Sequence, residues 1–291
     1  MQWTIEKKHE GFMIRDYLRS IHSFSRSMIT AIKFDGGAIY VNGKEKRVRY
    51  ELIAGDVLMI QFPPEIKGNY MYPEDLPLEI VYEDDDLIII NKEAGMAVTP
   101  SPIHQTGTVA NALLAYYQIN HIPYTVHVVT RLDRDTTGLM LIAKHRYSHS
   151  LLATSQMEQK IERHYHAIVE GKLITKKGLI QTPIGRKENS IIERTVTADG
   201  RAALTYYEVI EEKQDNSLVK IELGTGRTHQ IRVHFSHLGH PLVGDQLYGG
   251  SSEMMNRHAL HCSGISFEHP LTKKLISMHS SIPRDMKKLF E

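Results

Sequence analysis

The chain has 291 residues, 41% of them hydrophobic and 24% charged, with a formal net charge of +1. That length suits about two domains, and that balance describes a chain that folds around a core rather than a disordered one. No run approaches the ~18 apolar residues of a membrane span, and near-neutral charge excludes a polybasic coat while allowing a local basic face.

The opening MQWTIEKKHEGFMIRDYL has no basic head followed by an apolar stretch, so no signal peptide is expected. The single cysteine, Cys262, excludes an intramolecular disulfide and fits a reducing compartment. Seventeen histidines occur without HExxH, a Cys pair or ligand spacing, so no metal is expected. Together these features predict a cytoplasmic protein.

In chain order, residues 12–33 read as two short helices. Phe12, Tyr17 and Leu18 share one face, Met28, Ile29 and Ile32 form another stripe, and Ser25 or Ser27 caps the second helix. GGAIYVNG is a strand ending in the turn signal Asn42-Gly43, and DVLMIQF over 56–62 is another. Residues 1–68 therefore form a small α+β module carrying eleven Lys/Arg against eight Asp/Glu, a surplus of +3. Residues 69–91 carry seven Asp/Glu and no Lys/Arg, and Pro63, Pro64, Pro73 and Pro77 punctuate a boundary. The expected organisation is a module over 1–68, a linker over 69–77 and a second domain over 78–291.

In the second domain PLEIVYED and DLIIINKE are strands, 108–118 is helical, HVV and GLMLIAK are strands, and 145–159 is a helix. HYHAIVEG, RAALTYYEVI and SLVKIELG are strands. THQIRVHFSHLG is a helix with Ile231, Phe235 and Leu238 along one stripe. Many sequence-adjacent strands and few βαβ units predict an α+β domain with a mixed, mainly antiparallel central sheet and flanking helices.

Four stretches can carry chemistry. VVTRLDRDTTG sets Asp133 and Asp135 between Arg131 and Arg134 at a strand end. A guanidinium nearby lowers an Asp pKa by about 1–3 units and suits the carboxylate to act as nucleophile or base. An Asp in such a turn equally serves its own backbone, and local chemistry does not choose between the two. In LGTGRTHQIRVHF, Thr228 is the expected N-cap, which puts Arg227 ahead of a helix start where it opposes the macrodipole. Either Arg227 faces an anion or it reaches into solvent. Tyr165, on the ERHYHAIVEG strand, is either a core residue or a stacking surface for a base. In the N-terminal module Arg26 and Lys33 share a helix face near Lys44, Lys46, Arg47 and Arg49, which is a phosphate track or an ordinary solvated surface.

Taken together, these stretches resemble one family. TRLDRDTTGL resembles the HRLDxxTSG signature of RNA pseudouridine synthases of the large-subunit-rRNA type (the RluA-like family). EDDDLIIINKEAGMAV, RHYHAIVEG, PIGRKE, DGRAALTYYEVI, TGRTHQIRVHFSHLGHPLVGDQLYG and RHALHCSGISFEHPLT follow in family order, covering 78–290 nearly without gaps. Residues 12–62 resemble, less closely, a ribosomal-protein-S-four-like RNA-binding module. The resemblance implies the pseudouridine synthase fold and isomerisation of uridine to pseudouridine, in ribosomal RNA first and transfer RNA second. It implies no metal or organic cofactor; no protein partner is predicted, and a monomer is the default expectation.

By the same resemblance Asp133 is the essential aspartate, Arg227 the arginine paired with it, and Tyr165 the ring packed on the target base and assisting proton removal. Arg131 and Arg134 are left for the rim or for phosphates. Thr130, Glu93, Thr99 and Arg163 depart from the family's usual residues and bear on which uridine is chosen. Two rivals stand. One is a magnesium-dependent phosphatase of the haloacid-dehalogenase class with Asp133 as nucleophile and Asp135 as acid, although GDQLYG supplies Asp245 without a second acid. The other is a non-catalytic RNA-binding protein that keeps the fold.

Overall fold

A computed structural model describes every residue except 66, 67, 69, 70, 103, 124 and 291; positions 69 and 70 of the expected linker lie outside the described residues. The chain divides into two compact units, Met1–Gly68 with Asn120–Thr125, and Asn69–Ile119 with Val126–Glu291.

The first unit contains β1 (Gln2–Thr4), α1 (Ile14–Ser20), α2 (Arg26–Phe34), β2 (Ala38–Val41), β3 (Lys44–Glu45) and β4 (Val57–Gln61). Its strands form an antiparallel sheet in the order β1-β4-β2-β3. Ser25, not Ser27, caps α2: its Oγ accepts the Met28 N–H at 3.1 Å. Asn42 and Gly43 both have positive φ, 50° and 76°, the twist a two-residue hairpin between β2 and β3 requires. Ile14, Leu18, Ile32, Leu58 and Ile60 are nearly inaccessible and form the core.

The second unit follows with β5 (Glu79–Glu83), β6 (Leu87–Lys92), α3 (Val109–Ile119), β7 (His127–Val128), β8 (Thr137–Ala143), α4 (Arg146–Met157), β9 (Glu162–Glu170), β10 (Lys177–Ile180), β11 (Ile184–Arg186), β12 (Arg194–Val196), β13 (Thr205–Lys213) and β14 (Asn216–Leu223). α5 (Gln230–His237), β15 (Leu260–Glu268), β16 (Leu275–His279) and α6 (Arg284–Lys287) complete it. The large sheet runs β10-β13-β14-β9-β15-β8-β6-β5, with β16 on β15 and β7 on β8. Its pairings are antiparallel except β15 with β8. The sheet is therefore mixed and mainly antiparallel, as the sequence predicts.

β6 and β8 read as unbroken apolar runs because both faces are covered: Leu87–Ile90 and Leu139–Ala143 are essentially inaccessible. The strand expected from residue 201 begins only at Thr205. Residue Leu204 instead gives its N–H to Thr225 Oγ1 at 2.9 Å, joining the loop ahead of α5.

α5 differs from expectation more sharply. Gln230 through Phe235 are all buried, so the helix has no solvent face over that stretch, while Leu238 of the expected stripe lies past its end and is 42% exposed. A helix buried all round must pair every polar side chain it carries. The expected cap is also corrected. The helix starts after His229, which takes the left-handed φ of 56°, and the Gln230 side chain accepts the Arg227 N–H at 2.9 Å.

Asp84, Asp86 and His269 bring three possible ligand atoms within 4.8 Å of one another. His269 Nδ1 already accepts the N–H groups of Leu271 and Thr272 at 3.1 and 3.0 Å. Its proton is therefore on Nε2, which donates to Asp84 at 3.0 Å. The cluster works as a hydrogen-bonded cross-link between the β5–β6 turn and the chain after β15. Among the described residues no helix is long and apolar enough to cross a membrane.

Candidate active site

One row of residues across three strands assembles the site. Gly138 at the start of β8 pairs with Cys262 of β15, and Cys262 pairs with Tyr165 of β9. The β7–β8 loop carrying Asp133 therefore ends in the same row as Tyr165, with β15 between them. Gly138 has φ +110°, and a Cβ there would overlap the Cys262 backbone, so only glycine lets the loop enter β8 this closely. Lys92, buried at the end of β6, gives its ammonium to the carbonyls of Glu93, Met96 and Arg134, tying the loop to the sheet. Burial outweighs the attraction of Asp135 and Asp133 and lowers this ammonium to about 8.

Asp133, Tyr165, Arg131, Arg227, His229 and Arg232 face a cavity of about 260 Å³. Asp135 is not in its wall; Arg134 forks onto Asp135 at the surface, with both contacts at 3.1 Å. Geometry thus separates two aspartates that local chemistry left equivalent. Arg131 is exposed at the rim.

The expected pairing of Arg227 with Asp133 is corrected. Arg232 Nη1 donates to Asp133 Oδ2 at 3.0 Å. The same guanidinium forks onto Asp245 through Nε and Nη2 at 2.7 and 2.8 Å, and lies 4.9 Å over the Tyr248 ring. Arg227 stays in the loop, its Nε bound to the Ala202 carbonyl at 3.0 Å. The reason lies in α5: Arg232 sits in the buried helix and projects at the β7–β8 loop, whereas Arg227 precedes the helix start. Asp245 is 2% exposed, so Arg232 is a buried cation between two carboxylates. Burial opposes its charge, but the hydrogen bonds and charge of Asp245 and Asp133 outweigh that and raise its pKa.

His229 closes the other side. Its Nε2 lies 3.8 Å from Asp133 Oδ1, and its Nδ1 contacts the Tyr248 hydroxyl at 2.7 Å. Burial lowers its pKa despite the pull of Asp133, so the imidazole is neutral at pH 7. Tyr165 is 3% exposed, and burial, with Cys262 beside it, raises its phenol pKa. It therefore presents a neutral ring to the cavity. Thr130 is not in the cavity wall: it is buried and its Oγ1 accepts the Leu141 N–H at 2.9 Å, a structural duty.

The remaining basic residues singled out in the sequence lie in the first unit. Arg26, Lys33, Lys44 and Arg47 are exposed, and Lys46 is half-buried with its ammonium 4.6 Å over the Tyr50 ring. Lys33 covers Phe34 in the same way at 4.5 Å.

Arg232, His229 and Tyr248 were not found by sequence reasoning, and Asp245 was weighed only as the downstream acid of a phosphatase. The signal available was a lone arginine in a predicted helix, next to its apolar stripe, with an acid, Asp245, shortly after it.

The profile described as RNA pseudouridylate synthase matches residues 86–237. The chain is 44% identical to "Uncharacterized RNA pseudouridine synthase YjbO" of Bacillus subtilis, over 96% of this chain and 98% of that protein. It is 38% identical to "Ribosomal large subunit pseudouridine synthase D" of Haemophilus ducreyi, over 92% of this chain and 86% of the relative. The human RNA Pseudouridylate Synthase Domain Containing 1 structure shares the fold, with a TM-score of 0.59 at 23% identity, covering 75% of this chain and 86% of that one.

Proposed function

This chain belongs to the RNA pseudouridylate synthase family, and from that membership we propose that Asp133 is its essential carboxylate, Arg232 the charge partner that holds Asp133, and Tyr165 the ring on which a flipped-out uracil rests. Such enzymes isomerise uridine to pseudouridine in RNA. The reaction detaches uracil from C1′, turns the base and rejoins it through C5, so no group or electron pair is exchanged with another molecule. Asp133 carries the opening step, by attack at C1′ or by removal of the C2′ proton; both routes need a placed carboxylate.

The carrying observation is a carboxylate at a cavity wall, held by a guanidinium that a buried Asp245 already orients. That orientation precedes substrate binding and costs no reorganisation during reaction. The Tyr165 ring supports a base taken out of its stack, and stacking offsets part of the few kcal/mol that extrusion costs. In this reading residues 1–68 are an RNA-binding module whose Arg26, Lys33, Lys44, Lys46 and Arg47 meet phosphates, residues 69–77 are a linker, and 78–291 are the catalytic domain. Arg131 and Arg134 add rim contacts to phosphates. The enzyme works as a cytoplasmic monomer on ribosomal RNA of the large subunit; similarity to ribosomal large subunit pseudouridine synthases D supports that substrate.

The test is pseudouridine mapping on ribosomal and transfer RNA from cells carrying wild type, Asp133→Asn or Asp135→Asn. Asp133→Asn is expected to leave the target uridine unmodified while the purified variant still binds RNA, and Asp135→Asn to modify it. Equal modification by Asp133→Asn and wild type would falsify the assignment, and a mark confined to transfer RNA would move the substrate.

A further inference from the structure

A second cavity, of about 620 Å³, shares a wall with the one that holds Asp133. Gln156, Arg163, Leu223, Gly226 and Arg227 line both. We propose that this second cavity takes the base of the nucleotide adjoining the target uridine, stacked on Tyr206, with the phosphate between the two nucleosides on Arg163 and Arg227. The proposal rests on the first cavity taking the uridine.

Consecutive nucleosides are joined by one phosphodiester. If one occupies the first cavity and its neighbour the second, the phosphate must lie at the shared wall. Two guanidiniums stand there. Among the described residues Arg163 has no ion pair. Its Nη2 lies 2.8 Å from where a Cβ on Gly226 would stand, so glycine at 226 leaves room for the guanidinium to cross the loop. Arg227 spends its Nε on the Ala202 carbonyl, which fixes the plane of the fork.

Away from the shared wall the chemistry changes sign. Glu162 and Glu222 line it and repel a phosphate, which restricts that space to the base. Tyr206 is 44% exposed there and Met157 is 77% exposed, an aromatic and an apolar surface left to water. Strand alternation explains Tyr206: its neighbour Tyr207 points into the core against Phe235, so Tyr206 projects from the opposite face. Neither buried packing nor the Asp133 network uses it. An exposed ring beside a cationic wall is the combination that binds single-stranded nucleic acid.

The full-length chain can be titrated with short single-stranded RNAs holding one uridine, with 2-aminopurine immediately 5′ of it, immediately 3′ of it, or several nucleotides away. The wild type should quench the fluorophore in one adjacent placement and not in the distant one. Tyr206→Phe should quench as wild type does, while Tyr206→Ala should abolish quenching and weaken binding about 5- to 150-fold. Arg163→Gln should lower the salt dependence of binding by about one counterion. Unchanged quenching in Tyr206→Ala, equal quenching at the distant position, or none at any position overturns the subsite. Replacing the uridine by 4-thiouridine and locating the photocrosslink separates the two levels: a crosslink within 129–136 or 223–232 without stacking refutes the subsite alone. No crosslink there refutes the reading of the first cavity beneath it.

Discussion

Arg232 divides one guanidinium between a buried carboxylate and a half-buried one, and that division sets its substitution pattern. Lysine at 232 has the charge but not the planar fork, and cannot reach Asp133 while holding Asp245 twice. Arg232→Lys is expected to lose at least about 100-fold in kcat, the cost of misplacing a reacting group by about an ångström. Arg227→Ala keeps the Asp133 pair and should lose mainly RNA affinity. Steady-state kinetics on the mapped RNA checks both, and the opposite order of effects would restore Arg227 as the partner. At this scale the sequence was half legible. Asp133 and Tyr165 stand in stretches whose residue types and order carry the family pattern. Arg232 did not stand out because α5 reads as an amphipathic helix, and nothing local says that a face bearing arginine is buried.

The loop that carries Asp133 enters the sheet through the only parallel pairing in the large sheet among the described residues, that of β8 with β15. Gly138 makes that entry possible. Gly138→Ala combines a left-handed φ of +110° with overlap against the Cys262 backbone, which cannot yield as a side chain would. The expected cost is at least about 2 kcal/mol, read as a lower urea midpoint of the second unit by far-UV circular dichroism. A shift under about 0.5 kcal/mol would show that the loop relaxes freely. Elements with strong periodicity were legible: α1, α2, β6, β8 and β14 lie where the pattern puts them, and β13 starts four residues late. β10, β11 and β12 were not read as strands. They are three or four residues long, and Ile184 and Arg186 owe their pairing to partners on another short strand, Val196 and Arg194. Such short segments carry too few alternations to register.

At the scale of the whole chain, acid sensitivity can be read from two histidines beside the loop that carries Asp133. His258 contacts Thr136 Oγ1 at 2.7 Å and His261 contacts Thr137 Oγ1 at 2.9 Å, and both are nearly inaccessible. Burial, the largest cause in each, lowers His258 to about 3 and His261 to about 4. Both folded values lie below 6.5, so as pH falls from 6.5 the unfolded chain takes protons that the folded chain refuses. Their contribution to stability is complete above pH 6.5 and declines toward pH 4, with a limiting slope of about 3 kcal/mol per pH unit for the two together. Urea unfolding between pH 6.5 and 5 measures it. Trp3, the single tryptophan, is stacked on His22 at 4.2 Å in the first unit, so its fluorescence does not report the second, and circular dichroism should be used. A slope under about 1 kcal/mol per pH unit would mean that these histidines charge inside the fold. The sequence by itself determined the α+β class, most of the elements and the family, because those follow from local periodicity and from motif residues in fixed order. Tertiary structure alone decided which guanidinium meets Asp133, which aspartate faces the cavity, and that a second cavity adjoins it. Those depend on distances between segments about a hundred residues apart, such as the 99 separating Asp133 from Arg232, and no local pattern encodes a distance of that kind.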